Sequence, residues 1–429
     1  MTSPLAATAD LARQAALIGG PDGVLAEHEV TAFVREQLAG QDLDGRSVCV
    51  VIPDATRSCP LPLLLSAVHG ALVGRVTRLT ALIALGTHAP MSEAQLARHL
   101  GFPAGDLAAR YPGMALLNHE WADPATFASL GVIPASRVTE LSDGRLRESV
   151  DVRLNRAVVE HDVALVVGPV FPHEVVGFSG GNKYFFPGVA GQEIIDLSHW
   201  LGALITSADI IGTRGITPVR ALIDEAAALI PAERLALCVV AESGSGALHA
   251  AAFGEPRAAW AAAAGVSAET HVRYLDAPVR RVVSVVPDKY DDMWTAAKGF
   301  YKVEPVVADG GEVVIYAPHI TEISAMHPEI NEIGYHCRDY FVAQWDRFSH
   351  LHWGVLAHST HLRGAGTYDS VHGEQCRLRV TLATGIPEEI VRGANLDYLD
   401  PAEVDLAAAA ADPGMLFVPE AGEVLFRLR

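Results

Sequence analysis

Apolar and polar positions alternate along this chain in blocks that predict buried strands separated by helices. The clearest apolar runs cover residues 47–53, 78–85 and 163–170. Short continuous runs of this kind are typical of strands that are buried on both faces. Residues 60–74 carry leucines at helical spacing, and Ser92 has the character of an N-cap ahead of a second helix.

The same alternation continues past residue 200, with two alanine-rich helices and a further series of strands. The predicted helices cover residues 220–230 and 255–264, and the predicted strands cover residues 235–240, 282–286, 312–316, 350–356 and 377–382, with a closing hairpin over residues 416–426. Strands that alternate with helices form parallel sheets covered on both faces. We therefore predict an α/β fold of two α/β domains, residues 1–275 and 276–429, with mostly parallel sheets and an active-site cleft between the domains.

Length and charge narrow the class of protein. A chain of 429 residues exceeds one typical core, which supports the division into two domains. Its 32 basic and 51 acidic residues give a net charge of −19, and an acidic surface repels phosphate backbones. We therefore expect no nucleic-acid partner.

Cysteine usage and hydropathy indicate the compartment. The five cysteines are scattered, and no Cys-x-x-Cys pair occurs. This pattern does not suit a disulfide framework or a zinc ribbon, and it fits a reducing compartment. The first residues lack a basic stretch followed by an apolar core, and no apolar run is long enough to span a bilayer. We expect a cytoplasmic protein that does not interact with membranes.

Polar residues follow three of the predicted strands at their carboxyl ends. Asp54, Thr56 and Arg57 follow the first strand, His88 closes a Gly-Thr-His segment after the second, and His173 follows the third. The carboxyl ends of parallel strands share one edge of the sheet, where ligands bind in open α/β folds. Each histidine alone is more often a hydrogen-bonded structural residue than a catalyst. The prediction of a site therefore depends on their coincidence at three strand ends.

The residue types at this edge suit acid–base chemistry on a small carboxylate. An arginine such as Arg57 can hold a carboxylate through two parallel hydrogen bonds, and two histidines on opposite sides of a substrate can act as paired bases in a racemisation. Lys183 follows the Ser-Gly-Gly turn of residues 179–181 and can contact an anion or attach a group covalently. His199 can ligate a metal, but a cofactor would have to supply the other donors.

The ordered set of motifs resembles the nickel-dependent lactate racemase family. The matching segments are Asp54-x-Thr56-Arg57, Gly86-Thr87-His88, His173, Ser179-Gly180-Gly181-x-Lys183, His199 and Ala296-Ala297-Lys298-Gly299. The resemblance implies an isomerase, a racemase or epimerase of 2-hydroxy acids that works by reversible hydride transfer. It also implies a nickel-pincer nucleotide (pyridinium-3-thioamide-5-thiocarboxylic acid mononucleotide nickel), whose sulfur arms and ring carbon hold the metal.

The resemblance further implies a role for each matching residue. Lys183 would attach the cofactor covalently, and His199 would complete the coordination of nickel. His88 and His173 would be alternating acid/bases in the N-terminal domain, and the C-terminal domain would close over the substrate. The implied substrate contacts are Arg57, Lys298 and Thr295, and the implied additional cofactor contacts are Asp54, Thr56, Ser179, Gly180 and Gly181.

The chain departs from the pattern of the lactate enzyme near the substrate. Ala89 follows the Gly-Thr-His segment where a basic residue is common, and Thr295 stands where the lactate enzyme has a glutamine. We therefore predict a small 2-hydroxy carboxylic acid other than lactate as the substrate. The resemblance implies cofactor-building enzymes as partners, and a homo-oligomer is left open.

Two other classes of function remain open from the residues alone. Zinc held by the histidines could hydrolyse an acyl or phosphoryl bond, with Lys183 as an anion contact. A non-catalytic protein of two lobes could instead bind a small carboxylate, and binding would then stabilise it without turnover. Metal content and the mass added at Lys183 distinguish these classes.

Overall fold

The computed structural model describes residues 4–429, and the chain divides into two compact units. The first unit comprises Met1–Phe171, Phe178–Ile195 and Arg214–Thr270, and the second comprises Pro172–Gly177, Asp196–Thr213 and His271–Arg429. The chain therefore passes between the units several times, whereas the sequence predicts a single boundary near residue 275.

Two short segments place His173 and His199 in the second unit rather than in the predicted N-terminal domain. The reason is long-range bonding to residues beyond 271. The amine of Lys302 donates to the carbonyl oxygen of Pro172, and Ser207 Oγ lies 2.5 Å from His361 Nδ1.

Strands and helices are numbered here in chain order. The strands are β1 (Ala16–Gly19), β2 (Ser47–Pro53), β3 (Arg78–Ala84), β4 (Met114–Asn118), β5 (Phe127–Ile133), β6 (Val150–Asn155), β7 (Val163–Pro169), β8 (Pro172–His173), β9 (Gly177–Phe178), β10 (Glu233–Ala241), β11 (Leu248–Gly254), β12 (Val272–Leu275), β13 (Val279–Val285), β14 (Val307–Ala317), β15 (Gly366–Asp369), β16 (Gly373–Cys376), β17 (Arg379–Thr384), β18 (Asp397–Tyr398), β19 (Met415–Val418) and β20 (Leu425–Leu428). The α-helices are α1 (Pro4–Ala12), α2 (Glu27–Ala39), α3 (Leu61–Leu72), α4 (Glu93–Leu100), α5 (Leu107–Arg110), α6 (Ala135–Leu141), α7 (Arg156–Val159), α8 (Gln192–Ile205), α9 (Ser207–Ile210), α10 (Pro218–Ala227), α11 (Pro256–Thr270), α12 (Met293–Ala296), α13 (Lys298–Tyr301), α14 (Ile330–Ile333), α15 (Arg338–Ala343), α16 (Trp345–Phe348), α17 (Trp353–Arg363), α18 (Glu388–Gly393) and α19 (Leu406–Ala411). Short 3-10 turns cover Pro124–Thr126, Gly181–Tyr184, Glu304–Val306 and Pro401–Glu403.

The first unit is built on a seven-stranded sheet in the order β1-β11-β10-β7-β2-β3-β4. Strands β10, β7, β2, β3 and β4 run parallel, and β11 and β1 extend the sheet antiparallel at one side. Every residue of β2 and of β7 is buried, as expected for central strands covered by helices on both faces. The chain order reverses between β2 and β7, and this switch point is where open α/β sheets bind ligands.

The second unit is built on a smaller sheet, β18-β17-β14-β13-β19, whose neighbouring strands are all parallel. Val283, Val314 and Ala383 form a buried apolar cluster with Ala409 of α19. The predicted α/β class with mostly parallel sheets is therefore confirmed. Across residues 4–429, no helix is both long enough and apolar enough to cross a membrane.

Helix α4 begins with the capping residue that the sequence predicts. Ser92 precedes α4, its hydroxyl accepts a hydrogen bond from the Gln95 amide at 3.3 Å, and the Gln95 side chain accepts one from the Ser92 amide at 2.8 Å. This reciprocal pair satisfies two amides that a helix start otherwise leaves unbonded. The N-cap predicted from the sequence is therefore confirmed.

Two predicted elements of the second unit are wrong. The sequence predicts a strand over residues 350–356, but α17 begins at Trp353 and nearly all of its later side chains are buried. A helix buried all round has no polar face, so its apolar run resembles that of a buried strand. Residues 416–426 do not form a hairpin either, because β19 pairs in parallel with β13 and β20 pairs in parallel with β12.

Candidate active site

The first group of predicted site residues lies at the carboxyl ends of β2 and β3. These strands run in parallel register, with Pro53 opposite Ala84, so the segments that follow them start side by side. Asp54 Oδ2 lies 2.5 Å from His88 Nδ1. The indole of Trp121 donates to the His88 carbonyl oxygen at 3.0 Å and so fixes the backbone that carries the imidazole.

Asp54 is an ionised carboxylate that orients His88. Its Oδ1 accepts hydrogen bonds from the Thr56 amide at 3.1 Å and from the Thr56 hydroxyl at 2.7 Å. Burial alone would raise the pKa of Asp54, but the His88 imidazole, the bond from Thr56 and the charge of Arg57 hold that pKa well below its usual range. With His88 Nδ1 bonded to this carboxylate, Nε2 is the nitrogen that can exchange a proton with a ligand.

The turn that carries Lys183 is held against the same edge of the sheet. It covers Gly181–Tyr184 and contacts both β2 and β7. A Cβ at Gly168 in β7 would lie 2.2 Å from the Tyr184 hydroxyl oxygen, so the phenol occupies the space that a side chain would need there. Burial raises the pKa of Tyr184, which also interacts electrostatically with Arg57. Lys183 itself is half-buried.

The Ser-Gly-Gly segment before Lys183 is explained by packing. The Ser179 hydroxyl donates to the Pro169 carbonyl oxygen at 3.3 Å and accepts from the Phe171 amide at 2.9 Å. Gly180 has φ of +90° and Gly181 has φ of +59°, conformations that other residues rarely adopt. A Cβ at Gly181 would also lie 2.7 Å from the carbonyl oxygen of Pro256 in α11.

A buried arginine, not singled out from the sequence, fixes this segment from behind. Arg220 of α10 donates to the Phe178 carbonyl oxygen and, at 3.3 Å, to that of Gly180. Its guanidinium carbon lies 4.0 Å from the centre of the Trp260 ring. Burial lowers the pKa of Arg220 to about 10, so it remains charged at neutral pH. The glycine turn is therefore held between α10, α11 and β7.

The second group of predicted residues lies in the second unit and begins with His173. The Val175 amide donates to His173 Nδ1 at 3.1 Å, which places the proton of the neutral imidazole on Nε2. Glu174 Oε2 lies 3.3 Å from the same Nδ1. Burial alone would raise the pKa of Glu174, but Lys302, His361 and Lys298 lower it, so the carboxylate is ionised and can stabilise a protonated His173.

His199 of α8 lies among buried histidines of α17. His361 Nδ1 lies 2.5 Å from Ser207 Oγ, and its buried Nε2 has no hydrogen-bond partner among residues 4–429. Burial lowers the pKa of His361 to about 4; Glu174 opposes this shift and His199 adds to it. Burial, followed by the charges of neighbouring histidines and Lys298, places the pKa of His358 well below its usual value. Both α17 imidazoles are therefore neutral at neutral pH.

Lys298 and Thr295 are adjacent but have different environments. The buried amine of Lys298 donates to the Thr295 carbonyl oxygen at 3.1 Å and lies 5.2 Å from the centre of the Tyr290 ring. The Thr295 hydroxyl lies 2.9 Å from Asp292 Oδ1, and the Thr295 amide donates to the same oxygen, which caps α12. The Thr295 hydroxyl thus serves the start of a helix, and its backbone positions Lys298.

The predicted site residues therefore form one group in each unit. Asp54, Thr56, Arg57 and His88 lie together in the first unit with the turn of Lys183, whereas His173, His199 and Lys298 lie in the second. Sequence reasoning did not assign Tyr184, Arg220, Glu174, His358 or His361 to the site. The sequence could have indicated the two α17 histidines, because residues 358 and 361 are three positions apart and therefore share one face of a helix.

Comparison with known proteins identifies relatives of this chain. A family model described as the lactate racemase N-terminal domain matches residues 34–210. A crystal structure of a Thermotoga maritima protein is 32% identical, covers 96% of this chain and 100% of its own, and has a TM-score of 0.86. The lactate racemase apoprotein from Thermoanaerobacterium thermosaccharolyticum shares the fold at 19% identity, with coverage of 97% and 96% and a TM-score of 0.68. A search of curated proteins finds no match. From the match to this family model over residues 34–210, the chain belongs to the lactate racemase-like family.

Proposed function

We propose that this protein is a 2-hydroxy acid racemase or epimerase that carries a nickel-pincer nucleotide on Lys183. The observation that carries the proposal is the Asp54–His88 pair, with 2.5 Å between carboxylate and imidazole, at the sheet edge that the Lys183 turn also contacts. An ionised aspartate that orients a histidine is the arrangement of a general base. A strand end that served only the fold would not need it. Membership of the lactate racemase-like family supports the reaction class.

The residues present fit such a cofactor. Lys183 offers a half-buried amine on a turn whose backbone is held by Tyr184 and Arg220. His199 offers a half-buried imidazole, and the buried Nε2 of His361 nearby has no hydrogen-bond partner in the described chain. One amine and one imidazole suffice, because the nucleotide brings the remaining metal donors. When bound, the group would supply an acceptor for the hydride on the substrate Cα.

The two histidines would exchange the hydroxyl proton with the substrate, one as the base and the other as the acid, and their roles would reverse with the direction of the reaction. His88 Nε2 takes the proton of the substrate hydroxyl, and Asp54 stabilises the imidazolium that results. His173 would act in the other direction as the proton donor, because its Nε2 carries a proton and Glu174 Oε2, 3.3 Å from Nδ1, can stabilise the protonated ring. Arg57 and Lys298 would hold the carboxylate and the developing ketone.

We propose further that the substrate is a 2-hydroxy acid other than lactate. The Thr295 hydroxyl bonds Asp292, so it reaches less far towards a ligand than a glutamine would. On the same proposal, cofactor-building enzymes are partners in the cytoplasm of the host. Holoenzyme that racemises D- or L-lactate faster than larger 2-hydroxy acids would contradict the substrate proposal.

The decisive experiment is intact mass with metal analysis on protein produced together with a pincer-cofactor pathway. We expect added mass of about one mononucleotide on Lys183, about one nickel per chain, and interconversion of the enantiomers of a 2-hydroxy acid. Lys183→Ala should lose the added mass, whereas Lys289→Ala should keep it. An unmodified chain that binds zinc and hydrolyses an ester would support the hydrolase instead. Stabilisation by a 2-hydroxy acid without metal or turnover would support a carboxylate-binding protein.

A further inference from the structure

A second cluster of reactive side chains lies in the second unit, outside the site described above. It consists of Cys337 before α15, Cys376 at the end of β16, Glu374, and Arg363 at the end of α17. The sulfur atoms of the two cysteines and a carboxylate oxygen of Glu374 lie within 4.8 Å of one another. The Arg363 Nε donates to Cys376 Sγ at 3.0 Å. Both cysteines are free thiols.

Backbone geometry brings the two thiols close enough to bond. Gly366 in β15 lies opposite Cys376 in the β15–β16 ladder. A Cβ at Gly366 would lie 2.9 Å from Cys337 Cβ and 3.1 Å from Cys376 Cα, so the missing side chain leaves room for Cys337 beside β16. Cys337 Cβ therefore lies no more than about 6 Å from Cys376 Cα, which is compatible with the spacing across a disulfide.

The two thiols differ in acidity. The hydrogen bond from the Cys337 thiol, and after it the Arg363 guanidinium, lower the pKa of Cys376 below its usual value. The same hydrogen bond, followed by burial, raises the pKa of Cys337. Of the two sulfur atoms, Cys376 therefore loses its proton more readily, and Cys337 is its hydrogen-bond donor. In contrast, burial raises the pKa values of Cys49 and Cys238 to about 12, which keeps those thiols protonated and unreactive.

The surroundings favour thiol chemistry over metal binding. Glu374 Oε1 accepts a hydrogen bond from the Cys337 backbone amide at 2.5 Å. Glu374 Oε2 accepts one from the Asn395 side-chain amide at 3.1 Å and lies 2.8 Å from His336 Nδ1. Both carboxylate oxygens therefore already have hydrogen-bond partners. The Arg363 guanidinium lies on the Cys376 sulfur, where a second positive charge from a metal would be repelled.

We propose that Cys337 and Cys376 form a redox-active dithiol that hydrogen peroxide oxidises to an intramolecular disulfide. The Cys376 thiolate attacks a peroxide oxygen, the O–O bond breaks, and a sulfenic acid forms as hydroxide leaves and is protonated to water. The Cys337 thiol then loses its proton and attacks the Cys376 sulfur, and the S–O bond breaks to release a second water. In total two thiols lose two electrons and two protons, and one hydrogen peroxide becomes two waters.

The test is peptide mapping of the full chain after treatment with hydrogen peroxide and blocking of the remaining thiols with N-ethylmaleimide. We expect the tryptic peptide that ends at Arg338 to be cross-linked to the peptide from residue 364 to Arg377, with Cys49, Cys59 and Cys238 still alkylated after unfolding. Arg363→Gln should slow the cross-link by about tenfold, since it removes a cation from the thiolate. Cys59→Ser is the matched control, because Cys59 is half-buried like Cys376, and it should leave the rate unchanged.

Three results would overturn the proposal. One is oxidation of Cys59 at the same rate as Cys376 in the wild-type chain. Another is conversion of Cys376 to higher oxides without a cross-link to Cys337. The third is protection of both thiols by stoichiometric zinc, which would assign the cluster to metal binding. Because none of these readouts needs the pincer cofactor, they are independent of the proposed racemase activity.

Discussion

Asp54 shows how one residue can link the fold to the chemistry. It is the first residue after a strand buried along its whole length, and its two oxygens are divided between the Thr56 turn and the His88 ring. The Thr56 bonds make the carboxylate rigid, and its charge selects the imidazole tautomer with the proton on Nδ1. From the sequence pattern alone, Asp54 could equally be a turn former. In this fold it orients the His88 imidazole.

Replacing Asp54 by asparagine should separate orientation from folding. We expect Asp54→Asn to lower kcat of the holoenzyme by about 10²- to 10⁴-fold, because the amide can support the wrong His88 tautomer. Nickel content and the thermal midpoint should change little. The measurement is racemisation at matched nickel loading.

The matched control for this change is Asp162→Asn. Asp162 binds the Ser47 amide at 2.8 Å at the opposite end of β2, so its loss should affect stability and not turnover. Full activity in Asp54→Asn would contradict the assigned role of Asp54.

Glu374, also at the residue scale, should make the stability of the fold depend on pH. Burial alone would raise its pKa, but hydrogen bonds from His336 and from the Cys337 amide lower the pKa to about 2. A depressed pKa stabilises the folded state above the ordinary value of about 4.3, and this stabilisation disappears as pH falls towards 2. Glu374→Gln should therefore cost about 1–3 kcal/mol of unfolding free energy at pH 7 and progressively less below about pH 4.

Thermal midpoints of wild type and Glu374→Gln across this pH range provide the measurement. Glu388→Gln is the control, since Glu388 pairs with Arg392 on an exposed face of α18 and should show a small difference at every pH. A Glu374→Gln difference that stays constant down to the lowest pH would show that the carboxylate charge is not what stabilises this cluster.

At the scale of elements, the packing of the Lys183 turn on β7 depends on an absent side chain. Gly168→Ala would place a methyl group 2.2 Å from the Tyr184 hydroxyl oxygen. We expect a loss of about 1–3 kcal/mol from overpacking and a lower yield of cofactor on Lys183, because Tyr184 and the turn must move together. Denaturation midpoints and the fraction of chain with added mass measure the two effects.

A second glycine in the same unit serves as the control. Apart from the backbone of its own helix, Gly265 in α11 has no atom within 4 Å of an added Cβ, so Gly265→Ala should stabilise by about 0.5–1 kcal/mol through the unfolded chain and leave cofactor loading unchanged. If Gly168→Ala loads cofactor as well as wild type, the Tyr184 contact does not position Lys183.

Elements also show where pattern reading works. The buried strands β2 and β7 and the capped helix α4 follow from local signals, an unbroken apolar run or a Ser-x-x-Gln pair. The predictions for residues 350–356 and 416–426 are wrong because an apolar run without a polar face does not distinguish a helix from a strand. Such a run also does not indicate which strand its partner is. Tertiary burial decided both cases.

At the scale of the whole molecule, the units are interleaved along the chain. Pro172–Gly177 and Asp196–Thr213 are connected in sequence to the first unit but pack with residues beyond 271. The contacts include Asp196 Oδ1 with the Gly354 amide at 2.8 Å, and the Arg427 guanidinium with the Ile211 carbonyl oxygen at 2.8 Å. Ile210 and Ile211 are both buried.

A fragment of residues 1–275 should therefore not behave as a native domain. Its 172–177 and 196–213 segments would lose these partners and expose apolar side chains to water. We expect aggregation or a broad thermal transition in circular dichroism, compared with a sharp transition for the full chain. A monomeric fragment with a sharp transition would contradict the interleaved division.

The sequence by itself determined the α/β class, the central strands and the residues at their carboxyl ends, because each depends on a run of a few neighbouring residues. Only the tertiary structure decided that His173 and His199 join the second unit, that Glu174 is an ionised neighbour of Lys298, and that Arg363 lies on Cys376. Ser207 and His361, 2.5 Å apart in space, are separated by 154 positions in the chain. Contacts of that kind arise when elements bury apolar surface together, and no local pattern records which elements will do so.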